Sequence, residues 1–179
     1  MDTTCLLVMD VQSGIIDQLE DNKAYLDSIE RAVKHAYSQG MTVIYVVVGF
    51  RPGMPEVSPS NKSFSLFKGE DRPGLINPQP AVKTTADDII VTKRRVSAFS
   101  GSDLELILRS KKIDHLILCG ISTSGVVLST LREAADKDYH LTVISDLCRD
   151  SHKDVHQILV DKVFPRQADV ISLNDWLKS

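Results

Sequence analysis

The stretch GISTSGVVLST, residues 120–130, follows the apolar run HLILC (115–119) and leads into LREAADKDY (131–139). That layout is a strand, a tight turn and a helix, the arrangement in which parallel α/β enzymes often present a nucleophile. Five other short runs share the character of HLILC: CLLVMDV (5–11), MTVIYVVV (41–48), DDIIVT (87–92), HLTVIS (140–145) and ADVISL (168–173). They are β-rich and lack strict alternation, as strands covered on both faces do. Between them lie helical patterns at 24–39, closed by Gly40, at 102–112, opened by Ser100 or Ser102, at 124–138 and at 152–163. This alternation predicts a three-layer αβα fold with a doubly wound, mainly parallel, six-stranded Rossmann-like sheet and right-handed crossovers. Such sheets bind ligands at the carboxyl ends of their strands near a reversal in strand order, so functional residues are expected directly after strands.

The 179 residues, 42% of them hydrophobic, suffice for one domain spanning 1–179 with its own core. Acidic and basic residues, 24 and 21, nearly balance and form no long block, which argues against nucleic-acid and membrane partners. Cys5, Cys119 and Cys148 cannot all pair within one chain and match no zinc spacing, so reduced thiols in a cytoplasmic protein are expected. The amino terminus lacks a basic region, and its apolar run is too short for a signal or a membrane span. One long excursion, about 49–84, breaks the rhythm; its first part, 49–80, holds six of the seven prolines. Phe64, Leu66, Phe67, Leu75 and Ile76 supply apolar anchors that favour an ordered lid or contact surface over a disordered insertion.

Asp10 closes the first run and Lys93 the third. A carboxylate at a strand end suits acid/base chemistry or a helix cap; a lysine there suits charge stabilisation or a solvated surface within KRR (93–95). Paired across the top of the sheet, the lysine would hold the carboxylate ionised or stabilise charge on a substrate. Haloacid dehalogenases want a second carboxylate where this chain has Gln12. In GISTSG, Val126 follows Gly125, so no phosphate loop is formed. Gly120, Ser122 and Ser124 give G-x-S-x-S where a serine elbow wants G-x-S-x-G, although Asp146 and His156 follow in triad order. Ser122, Thr123 or Ser124 could equally cap the following helix. His152 and His156 stand four apart with no third ligand at recognisable spacing, so no metal is expected. Cys5 and Cys119 read as buried core thiols, and Cys148 is the one thiol near the functional edge.

An aspartate after strand one, a lysine after strand three and a G-x-x-T turn after strand four, in this order, resemble the isochorismatase-like hydrolase superfamily. The likeness runs from LLVMDVQ through VTKRRVSAFSGSDLELIL and LCGISTSGVVLSTLREAADKDY to SDLCRD and KVFPRQADV. SAFSGSDL resembles the S-A-F-x-G-T-x-L stretch, with Ser102 in place of threonine. Most members are cysteine hydrolases of amides and related C–N bonds with an Asp-Lys-Cys triad. The resemblance implies Asp10 and Lys93 as two members and places the nucleophile six residues after Gly120, at Val126. It further implies a cis peptide at Ile121-Ser122, an oxyanion hole from the Ser122 and Val126 amides, and substrate contacts at Gln12, Phe99 and Thr123.

Valine has no nucleophilic atom, so a thioester route is closed at position 126. Isochorismatases also lack the cysteine and cleave a vinyl ether with the aspartate as proton donor, but they carry glycine there. Nicotinamidases bind a metal through Asp-x-His between strands two and three, and residues 49–84 contain no histidine. The resulting expectation is a cytoplasmic homo-oligomer, dimer or tetramer, that hydrolyses a small molecule without cofactor through Asp10 and Lys93. The rivals are a catalytically inactive binding or interaction member, and substitution of the nucleophile by Ser122, Ser124 or Cys148.

Overall fold

The computed structural model describes residues 3–68 and 73–178. In chain order the strands are β1 (Thr4–Met9), β2 (Thr42–Val48), β3 (Ile89–Lys93), β4 (His115–Ile121), β5 (His140–Arg149) and β6 (Asp169–Ile171). The helices are α1 (Asn22–Ser38), α2 (Pro73–Ile76), α3 (Leu104–Ser110), α4 (Leu128–Ala135), α5 (Lys153–Ile158) and α6 (Leu173–Trp176). All strands pair in parallel, in the order β3-β2-β1-β4-β5-β6, so the order reverses between β1 and β4.

Side chains alternate across each strand. Cys5, Leu7 and Met9 of β1 face a core layer with Leu104 and Leu108 of α3 and Leu131 and Ala134 of α4. Leu6 and Val8 face the opposite layer, where Ile29, Ala32 and Ala36 of α1 and Trp176 of α6 pack. Helices cover both faces, which explains the near-continuous apolar runs. The first strand ends two residues earlier than its composition suggests, because Asp10 takes φ +56 and turns the chain out of the sheet. The fourth helical pattern, 152–163, is α5 followed by a π-helical turn, Leu159–Val163.

The excursion after β2 has a small core of its own: Val48, Phe50, Met54, Val57 and Phe64, with Phe67 and Leu75 packed against it. Leu66, 70% exposed, and Ile76 at 36% do not serve as anchors. The basic cluster straps this segment down. Arg94 donates to the Gly49 carbonyl, the Arg95 guanidinium donates to the Glu56 carbonyl at 2.8 Å, and the Glu56 carboxylate pairs with Arg51. No helix among the described residues is long and apolar enough to cross a membrane.

Candidate active site

The reversal in strand order brings the carboxyl ends of β1 and β4 together, with Met9 opposite Gly120. Lys93, the last residue of β3, reaches past β2 to Asp10: its Nζ lies 2.9 Å from Asp10 Oδ2, and both side chains are nearly sealed from solvent. The ammonium also donates to the Arg95 carbonyl at 3.0 Å. Asp10 Oδ1 is buried and has no hydrogen-bond partner among the described residues. Burial pushes the Asp10 carboxyl up from 3.8 to about 6, against the opposing pull of the charge and hydrogen bond of Lys93. The native carboxyl thus holds its proton more tightly than the unfolded chain would. Its stabilising contribution is present below about pH 3.8 and is lost as pH rises through about 6. A carboxyl that titrates near neutrality beside a fixed cation can accept or deliver a proton.

Across the reversal, β4 ends on a turn of unusual closeness. Gly120 has φ +143, and a Cβ there would lie 2.0 Å from the Met9 carbonyl oxygen, so only glycine permits this approach. The Ile121-Ser122 peptide is cis. Thr123–Val127 then winds as a π-helical turn into α4, the Gly125 and Val127 amides each donating to the Ser122 carbonyl at 3.2 Å. Such turns recur at functional sites. Val126 is 2% exposed and packs in the α3/α4 core layer.

The structure therefore brings Asp10 and Lys93 into contact and gathers Ser122, Thr123 and Val126 in one turn at the neighbouring strand end. Two residues named with them make further contacts within the fold. Gln12 is wholly buried, its Oε1 accepting from the Val48 amide at 2.8 Å and its Nε2 donating to the Val48 and Gly74 carbonyls at 3.1 and 3.3 Å. It ties the ends of β1 and β2 to the excursion. Gln12→Ala is expected to lower stability by about 2–4 kcal/mol, because the Val48 amide loses its acceptor in a buried setting; chemical denaturation measures it. Phe99 is buried against Tyr139, ring centroids 6.2 Å apart, with the Lys137 ammonium 5.5 Å over its face.

The substitute nucleophiles fare poorly on geometry. Cys148 is fully buried, its thiol pushed up to about 12 by burial, and its Sγ donates to the Ile144 carbonyl at 3.4 Å. Burial also raises Cys5 and Cys119. Asp146 accepts from the Leu173 amide at 2.7 Å, whereas His156 Nδ1 lies 2.8 Å from Thr123 Oγ1, so no serine triad is assembled from these residues. No cluster of three metal-ligating side chains occurs among the described residues. Sequence reasoning missed Asp150, whose Oδ2 accepts from the Ser124 amide at 2.7 Å and whose Oδ1 accepts from the His152 amide at 3.2 Å. Its position directly after β5 was the available signal.

A cavity of ≈ 420 Å³ next to the ends of β1 and β2 is lined by Gln12, Ile15, Val48, Phe67 and Leu75 among others, but not by Asp10, Lys93 or the turn after β4. Its size and apolar lining suit a small organic molecule.

Comparison with known proteins agrees with this architecture. Residues 4–175 match the isochorismatase domain. YecD, an isochorismatase family protein of Escherichia coli O157:H7, is 32% identical over 99% of this chain and 96% of its own length. The ureidoacrylate amidohydrolase RutB of Azorhizobium caulinodans is 29% identical over 82% of this chain and 76% of its own. Among solved structures, an isochorismatase family protein from Burkholderia thailandensis superposes with a TM-score of 0.88 at 24% identity, covering 99% of this chain and 96% of that one. With the domain match spanning nearly the whole chain, and a relative 32% identical over 99% of it, the protein belongs to the isochorismatase family.

Proposed function

We propose that the protein hydrolyses a C–N bond of a small amide or ureide by direct attack of water, with no covalent intermediate. The observation that carries this reading is the buried Asp10–Lys93 pair, in which Asp10 Oδ1 has no partner among the described residues and the carboxyl is raised to about 6. Ionised Asp10 takes a proton from water at Oδ1 as the water oxygen bonds to the substrate carbonyl carbon. The Ser122 and Val126 amides receive the negative charge that develops on the carbonyl oxygen. Collapse breaks the C–N bond, and Asp10 returns its proton to the leaving nitrogen, leaving acid and amine. Lys93 keeps Asp10 ionised in a site whose burial alone would keep it protonated. Valine at 126, where cysteine hydrolases of this family carry their nucleophile, is what makes water the attacking group. The amidohydrolase among the relatives favours a C–N bond over a vinyl ether.

Initial rates against pH on a panel of amides, ureides and vinyl ethers test the reading. Activity on a C–N substrate should rise with pH through about 6 and then level, because the base form of Asp10 is required. A rate that falls above that value, on a vinyl ether, would make Asp10 a proton donor and replace the proposed reaction. No turnover across the panel would favour a binding member of the family.

A further inference from the structure

The turn that follows β4 is held from outside the sheet. Thr123, its first residue, is completely buried, and its hydroxyl meets His156 Nδ1 at 2.8 Å. The next residue is gripped through its backbone, the Ser124 amide donating to Asp150 Oδ2 at 2.7 Å. The other oxygen of Asp150 accepts from the His152 amide at 3.2 Å, so one carboxylate ties the turn to the chain entering α5. His156 stands on α5 itself, 33 residues from Thr123. Neither contact is part of the proton transfer, yet both act on the segment bearing the Ser122 and Val126 amides.

We propose that His156 is a positioning residue: through the Thr123 hydroxyl it fixes the turn in the conformation that presents the Ser122 and Val126 amides to developing negative charge. The inference rests on reading this turn as the anion-stabilising part of the site. Its physical basis is that a π-helical turn closes its backbone bonds loosely, so a buried side-chain hydrogen bond and a carboxylate on an adjacent amide decide its shape. The imidazole is half-buried, and burial first, then Arg149, holds its pKa below the usual histidine value, while Asp150 and Asp161 oppose them. The neutral ring therefore prevails at neutral pH, and its Nδ1 and the threonine hydroxyl share a single proton between them. Stabilisation of an oxyanion is lost steeply when its donors are misplaced, so the effect belongs on kcat rather than on KM.

The test compares His156→Ala, His156→Asn and Thr123→Val. Asparagine places a polar atom where Nδ1 was; alanine removes the contact, and Thr123→Val removes it from the other side. With a substrate from the panel, His156→Ala and Thr123→Val should lower kcat about 10- to 100-fold with KM nearly unchanged, and His156→Asn should restore most of the loss. Wild-type kcat in both disrupting variants would overturn the proposal, as would an equal loss in the asparagine variant with its fold intact. Amide NMR of the same proteins without substrate separates this idea from the proposed reaction. The Ser122, Ser124 and Val126 amide resonances should move in His156→Ala and return in His156→Asn, whether or not the panel yields turnover. Should His156→Ala fail to fold, Thr123→Val carries the same comparison. Turn resonances that stay in place when the contact is removed would contradict the positioning role.

Discussion

Asp10→Asn is expected to abolish hydrolysis, with a loss of about 10²–10⁴-fold, the range typical of a general base. Asparagine preserves the shape and can still accept from Lys93, but it cannot take a proton from water. The substitution has a second consequence, because it leaves the Lys93 ammonium, 2% exposed, without a counter-charge. Breaking a buried pair from one side costs about 3–5 kcal/mol, whereas replacing both partners by uncharged groups is often neutral. Asp10→Asn combined with Lys93→Met should therefore regain much of the lost stability while remaining inactive. Denaturation midpoints and rates measured on the two proteins separate the roles. Activity surviving in folded Asp10→Asn would remove Asp10 from the mechanism.

Gly120→Ala is expected to be the most damaging glycine-to-alanine substitution among the described residues. The added Cβ would stand 2.0 Å from the Met9 carbonyl oxygen, and the residue holds φ +143, where a side chain is strained in any surroundings. Strain and overpacking together amount to roughly 3–5 kcal/mol, a large share of the stability of a domain this size. Gly14→Ala provides the control, since Gly14 also has positive φ, +86, but nothing lies within 4 Å of its Cβ position. That variant should lose only about 1 kcal/mol. A Gly120→Ala protein as stable as Gly14→Ala would mean that β1 and β4 can separate, and the closeness of the two strand ends would lose its significance.

The sheet was legible because the strands inside it, β1, β2 and β4, are buried on both faces, and β-rich runs separated by helical periods leave few other folds. Asp10 and Lys93 were legible as strand-end residues. Their contact was not, since Lys93 reads equally well as one of three surface cations, and only the reach of its side chain across the end of β2 to Asp10 distinguishes it from Arg94 and Arg95. Those two arginines bind the excursion instead. Gln12 and Phe99 sit in the matching blocks, but side-chain direction decides their roles: Gln12 saturates backbone groups of Val48 and Gly74, and Phe99 turns to Tyr139. The Thr123–His156 contact joins separate elements that no sequence spacing relates. In the excursion, composition named the apolar residues but could not show that Phe64 is buried while Leu66 stands in solvent.

A buried carboxyl that exchanges its proton near pH 6 under the control of one lysine is the centre of the proposed chemistry. The most direct measurement is the titration of the Asp10 carboxyl carbon by NMR in the wild-type protein and in Lys93→Met. A midpoint near 6 in the wild type, moving higher when the lysine is removed, is the predicted result, because burial raises the value and Lys93 lowers it. A wild-type midpoint near the ordinary 3.8, or one indifferent to Lys93, would contradict it.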